Sequence, residues 1–169
     1  MNKEENLLEE LASVSEDDYA NRFEIYSKLY SYDSTNGDYI NKAVHYGEKY
    51  IKTVPYTDVS TNLKIYKQLQ ELADNSTYSR KIAEYSFLNE VEIRCGVEGM
   101  KQSRESLNFP ETMDTVVLGS SGSWADRNKY VYQHTYKAKN AFGVVSELQS
   151  TYVCIANPSE KTFNIVRIK

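Results

Sequence analysis

Cysteine, histidine, glycine, proline and tryptophan are all scarce in this chain, and each scarcity closes off a class of function. The two cysteines, Cys95 and Cys154, stand far apart with no His or Cys beside them. The sequence therefore offers neither metal-ligand spacing nor a disulfide framework, and both side chains are expected as buried thiols. Two histidines, His45 and His134, leave little from which to assemble a triad or a metal cluster. The glycines form no phosphate-cradling loop and no nucleophile elbow, and Ser120-Ser121-Gly122-Ser123 is at most a weak anion nest. No cofactor or metal is implied. No apolar run approaches the about 20 residues needed to cross a bilayer, and the first residues lack the basic and apolar regions of a secretion signal. No membrane partner is expected. As it stands the chain reads as cytoplasmic, unless a targeting segment has been removed from it.

What is present is globular in composition. Apolar residues make up 40% and charged residues 26% of 169 positions, enough for one core of ordinary size or two very small domains. Fifteen tyrosines supply large area with a polar tip, suited to core edges and helix-packing faces. Charge is uneven. Residues 1–98 carry 11 Lys and Arg against 18 Asp and Glu, whereas residues 99–169 carry 9 against 6. An acidic chain without clustered cations is a poor phosphate-backbone binder, so no nucleic-acid partner is expected. Its carboxylates are interspersed with lysines, which also argues against mimicry of nucleic-acid charge.

The first half is duplicated. Residues 21–29, Asn-Arg-Phe-Glu-Ile-Tyr-Ser-Lys-Leu, align with residues 61–69, Thr-Asn-Leu-Lys-Ile-Tyr-Lys-Gln-Leu, and residues 39–46 align with residues 78–85 one position out of step. Within the first copy Phe23, Tyr26, Leu29 and Tyr30 recur at helical spacing before the polar turn 33–37, and Tyr39, Val44 and Tyr46 form a second stripe. Each copy thus reads as a helical hairpin, 17–51 and 57–92, with Pro55 and Asp58 between them and a short helix at Leu7, Leu8 and Leu11 ahead. Ser15 is the expected cap of the first hairpin. Tyr26 and Tyr66 occupy matching positions and are expected at the contact within each hairpin. The hairpins resemble tetratricopeptide-type repeats in length and in pairing aromatic with small residues. They lack that pattern's Trp and closing Pro, and their period is longer than the usual one. Residues 1–95 are accordingly expected to be helical.

From about residue 112 the periodicity changes from helical to alternating. Met113, Thr115 and Val117 suggest a short strand, and Tyr130, Tyr132, His134, Tyr136 and Ala138 share one face of a second. A third strand follows over about 144–156, then the turn at 157–161 and a last strand through Phe163, Ile165 and Val166. The stretch 119–123 reads as a flexible loop or hairpin tip. Short sequential connections imply an antiparallel meander, so the fold class is α+β, with duplicated hairpins followed over 96–169 by a helix and a small antiparallel β module packing on it.

Two C-terminal segments, Ser106-Leu107-Asn108-Phe109-Pro110-Glu111-Thr112 and Tyr136-Lys137-Ala138-Lys139-Asn140-Ala141-Phe142-Gly143, resemble motifs of a widespread group of bacterial and phage-associated proteins. In that group a helix ending in an "sLkdPdS"-like segment precedes strands, and "yRaKNaFGg" marks a strand end. The resemblance covers most of residues 20–169, with departures at Asn108-Phe109 and at Val144. It implies the helical-then-β fold and a bacterial or phage origin.

Candidate functional residues are few. In the Lys137–Gly143 motif, Asn140 and Gly143 suit a tight turn and Phe142 is expected to plug the core beneath it. Lys137 and Lys139 fall on the opposite strand face from Tyr136 and Ala138, where with Asn140 they could meet an anionic group of a partner. His134 is expected as a satisfied core or groove histidine, and His45 as a solvent-tolerant position. These features favour a non-catalytic protein-interaction module, with a tyrosine-rich groove between the hairpins and contacts at Lys137, Lys139, Asn140, Tyr26 and Tyr66. A phage or mobile-element protein that inhibits a host factor is one form of this reading. The alternative is a small enzyme or small-ligand-binding protein with a site near His134.

Overall fold

The computed structural model describes residues 3–113 and 119–168. Among these residues, helices α1 (Lys3–Ser13), α2 (Tyr19–Tyr32), α3 (Gly37–Thr53), α4 (Val59–Leu72) and α5 (Ser76–Glu105) precede strands β1 (Gly119–Trp124), β2 (Lys129–Lys139), β3 (Val145–Asn157) and β4 (Thr162–Arg167). The fold is α+β, with the helices first and the sheet last. The chain divides into two units, residues 1–85 and 86–169. The division falls inside α5.

In the helical unit the duplication reaches into atomic detail. Asp18 and Asp58, forty positions apart, cap α2 and α4 with the same backbone conformation, and their side chains accept from the backbone N–H of Asn21 and Thr61. The expected cap, Ser15, instead accepts from Asp17 N–H in the preceding turn. An aspartate is the better choice because its charge also meets the positive helix end. The turn before each helix is clamped by equivalent residues of different chemistry. Arg22 Nε donates to the Ser15 carbonyl at 2.8 Å, and Asn62 Nδ2 donates to the Pro55 carbonyl at 2.7 Å. Tyr26 stacks on Tyr46 with centroids 5.5 Å apart, as Tyr66 stacks on Tyr85 at 5.9 Å. Tyr39 and Tyr78 each donate a hydrogen bond to a glutamate of an earlier helix, Glu4 and Glu48.

The core of this unit contains Phe23, Ile25, Tyr26, Leu29, Ile65 and Leu69, all buried. Gly47 lets α3 sit against both neighbours, since a Cβ there would lie 2.7 Å from Leu69 Cδ2 and 2.8 Å from Phe23 Cε2.

The sheet is a meander in the order β1-β2-β3-β4. Strand β1 corrects the expected loop at 119–123. Its Gly and Ser residues have loop composition, yet they pair in register with β2, Gly119 opposite Thr135 and Trp124 opposite Tyr130. Gly122 is needed because the Tyr130 side chain lies across it. Of the strand expected around Met113, Thr115 and Val117, Met113 is a buried residue beside Tyr136 and Ala138, and the rest lies outside the described residues. One sheet face is buried through Tyr132, His134, Tyr136, Ala138, Ser150, Tyr152, Cys154 and Ala156, the alternation expected of a half-covered antiparallel sheet.

Helix α5 meets that face along a stripe of small residues. Cys95, Gly96, Gly99 and Ser103 recur at helical spacing. A Cβ on Gly99 would stand 2.9 Å from Tyr152 Cδ2 and 3.2 Å from Tyr132 Cδ1, so the bare backbone makes room for the tyrosines. The Ser103 hydroxyl lies 2.7 Å from the Tyr152 hydroxyl. The same packing joins Cys95 to Cys154 in a disulfide, which overturns the expectation of two buried thiols. The partners are 59 positions apart, and only the docking of helix on sheet brings them together.

Candidate partner-binding site

The Lys137–Gly143 motif forms the end of β2 and its turn into β3. Asn140 N–H donates to the Val144 carbonyl at 2.9 Å and Gly143 N–H to the Asn140 carbonyl at 3.0 Å. The Asn140 side-chain oxygen accepts from the backbone N–H of Phe142 at 2.9 Å and of Val144 at 3.1 Å. Gly143 closes the turn at φ 76°, the left-handed conformation glycine adopts without strain. Asn140 is thus a turn former whose amide oxygen is already engaged. Lys137 and Lys139 are exposed, while Tyr136 and Ala138, which alternate with them, are buried, so the lysine face is as alternation dictates.

Phe142 is not where the sequence suggested. It is 91% exposed and plugs nothing. The turn extends past the last sheet pair, Lys139 opposite Val145, and its corner positions project from the hairpin end rather than over the core. Val144 and Val145 beside it are also exposed. The tip therefore presents three apolar side chains on a hydrogen-bonded turn, with two lysines behind them. The signal in the sequence was the order Asn-Ala-Phe-Gly, which places Phe at a turn corner just before a left-handed glycine.

Tyr26 and Tyr66 belong to the helical unit. Tyr26 is buried at the stacked pair with Tyr46 and offers a partner almost no surface, and Tyr66 is half-buried between Tyr78 and Tyr85. The helical unit does contain a groove, of about 1030 Å³, lined mainly by α2 and α4 with contributions from α1 and α3. Its aromatic wall is Phe23, Tyr30, Tyr32 and Tyr50, and neither Tyr26 nor Tyr66 lines it. Its charges are mixed. Lys28 lies 2.6 Å from Glu24, and this hydrogen bond holds the Glu24 carboxyl below its ordinary range.

His45 is exposed, edge-on to Tyr46. His134 is 1% exposed and set among Tyr136, Tyr132 and Tyr152 with ring centroids 5.1, 5.3 and 6.0 Å away. It is a core residue but not a satisfied one, because neither ring nitrogen has a hydrogen-bond partner among the described residues. Burial lowers its pKa, and the nearby Arg167 guanidinium lowers it further. So enclosed a ring touches a substrate only after the sheet unit opens. Among the described residues no three His, Cys, Asp or Glu side chains converge to hold a metal ion, and no helix is long and apolar enough to cross a membrane.

No protein-family model matches the chain, and no match is found among curated proteins or solved structures.

Proposed function

We propose that this protein is a non-catalytic interaction module whose β2–β3 tip, led by Phe142, contacts a protein partner. The observation that carries the reading is a phenylalanine 91% exposed at the end of a turn held by its own hydrogen bonds. Burying such a side chain in a partner's pocket contributes about 1.5–3 kcal/mol, and a preformed turn avoids the cost of ordering it. Lys137 and Lys139 favour a pocket with an acidic rim and speed encounter with it. The helical groove is a second surface, suited to a peptide segment with apolar anchors. The resemblance of the 136–143 motif to bacterial and phage-associated proteins supports a bacterial or phage origin, with a host factor as the target to be bound and inhibited.

Comparative capture from a bacterial lysate prepared without reductant tests this. Immobilised wild type is compared with Phe142→Ser, Lys137→Ala/Lys139→Ala and the groove variant Tyr32→Ser. We expect a retained protein that is lost with Phe142→Ser, reduced with the lysine pair and kept with Tyr32→Ser, all four melting alike. A partner lost only with Tyr32→Ser moves the contact to the groove, and a capture profile unchanged by Phe142→Ser refutes the tip reading.

A further inference from the structure

We infer that residues 86–169 depend on the Cys95–Cys154 disulfide for their fold, and that the protein therefore works in an oxidising compartment rather than in the reducing cytosol expected from its sequence. The bond uses both cysteines of the chain and leaves none free. Its Cα atoms are 6.1 Å apart, a span within the usual disulfide range. Cys95 belongs to the small-residue stripe of α5, and Cys154 lies on β3 between Tyr152 and Ala156. The link thus ties helix to an interior strand of the sheet, and the segment it closes contains β1, β2 and most of β3.

Two features of the unit make this staple matter. The face that α5 covers carries most of the burial of the sheet, and its centre holds His134, whose ring nitrogens have no hydrogen-bond partner among the described residues. A unit of this size has a single modest core and only a few kcal/mol of net stability, so one cross-link weighs heavily in it. The segment closed, with a separation of 59 positions, is also long enough that the cross-link removes much of the freedom of the unfolded chain. Both sulfurs are fully buried, so exchange with a dissolved thiol requires the unit to open first. That marks a structural bond rather than a cycling one.

Closing the bond removes two protons and two electrons from two thiols. A thiol–disulfide oxidant accepts them as its own disulfide becomes a dithiol. Cytosolic glutathione and thioredoxin systems keep such pairs reduced, whereas cell-surface, periplasmic and secretory environments supply the oxidant.

The full chain is tested in the cells that naturally make it, by acid quenching, denaturation and alkylation with a maleimide-polyethylene glycol reagent before and after dithiothreitol. We expect no mass-tagged cysteine before reduction and two after it. Purified oxidised chain should lose more than about 10 °C of the sheet unit's Tm on treatment with a phosphine reductant, as should Cys95→Ala/Cys154→Ala. Reduction of wild type that has already folded keeps the test decisive if the double variant cannot be produced. Two cysteines tagged at once in folded protein from those cells overturn the compartment, and a melt unchanged by reduction overturns the dependence.

Discussion

His134 shows how much a single buried side chain sets the working range of the sheet unit. Its neutral ring lies among tyrosines, and the charge bearing on it is the Arg167 guanidinium, whose Nη2 donates to Ser150 Oγ at 3.0 Å. Burial disfavours the charged imidazolium, and protonation would also set a second cation beside Arg167, so the folded pKa is depressed below the ordinary 6.5. The unfolded chain then binds a proton at a pH where the native one does not. Stability is complete above the unfolded imidazole's pKa and is lost as pH falls through the window down to the folded value. Denaturant melts from pH 7.5 to 5 should show a loss in wild type that is smaller in His134→Leu, and equal slopes would show that the ring does not govern it. Phe142 carries a second expectation at this scale. Phe142→Ala should change stability by less than about 0.5 kcal/mol, as a surface position does. Strand alternation made Lys137 and Lys139 legible, but alternation ends where the turn begins, and nothing in apolar content distinguishes a turn corner from a core plug.

At the scale of elements, the repeat is readable because each copy solves the same local problems with aligned residues. Asp18 and Asp58 satisfy the same orphan N–H groups, and the Asp33 and Ala73 N–H groups close the helix ends on the Leu29 and Leu69 carbonyls. Asp18→Ala and Asp58→Ala should each destabilise the helical unit by about 1 kcal/mol in urea melts. Losses additive within about 0.5 kcal/mol would show two separate caps. A much smaller effect at either position would mean that solvent replaces the cap. Periodicity and capping chemistry live within a dozen residues, which is why α2, α3 and α4 could be read from the chain. Strand β1 could not, since Gly119 to Ser123 have no intrinsic strand preference and are held by the register of β2. Tyr66 shows an intermediate case. Its pairing with Tyr85 follows from the repeat, but the residues lining the groove, such as Tyr32 and Tyr50, depend on how α2 and α4 are spaced.

At the scale of the whole molecule, two units with separate cores share one chain, and only residues 86–169 contain the cross-link. The core of the helical unit, built on Phe23, Leu29, Ile65 and Leu69, lies outside the segment that the disulfide closes. The loop-entropy relation for that segment gives roughly 4 kcal/mol of stabilisation, which is a large part of what a small unit has. Reducing the bond should therefore act unevenly along the chain. Hydrogen exchange followed by mass spectrometry, on oxidised and phosphine-reduced protein at neutral pH, should show protection falling by two orders of magnitude or more in β2 and β3. Protection in α2, α3 and α4 should be retained within a few-fold. If the helices lose protection together with the strands, the chain is a single cooperative unit and the division at residue 85 has no energetic meaning. If neither changes, the packing of Gly99 and Ser103 on Tyr132 and Tyr152 holds the helix on the sheet without the sulfur bridge.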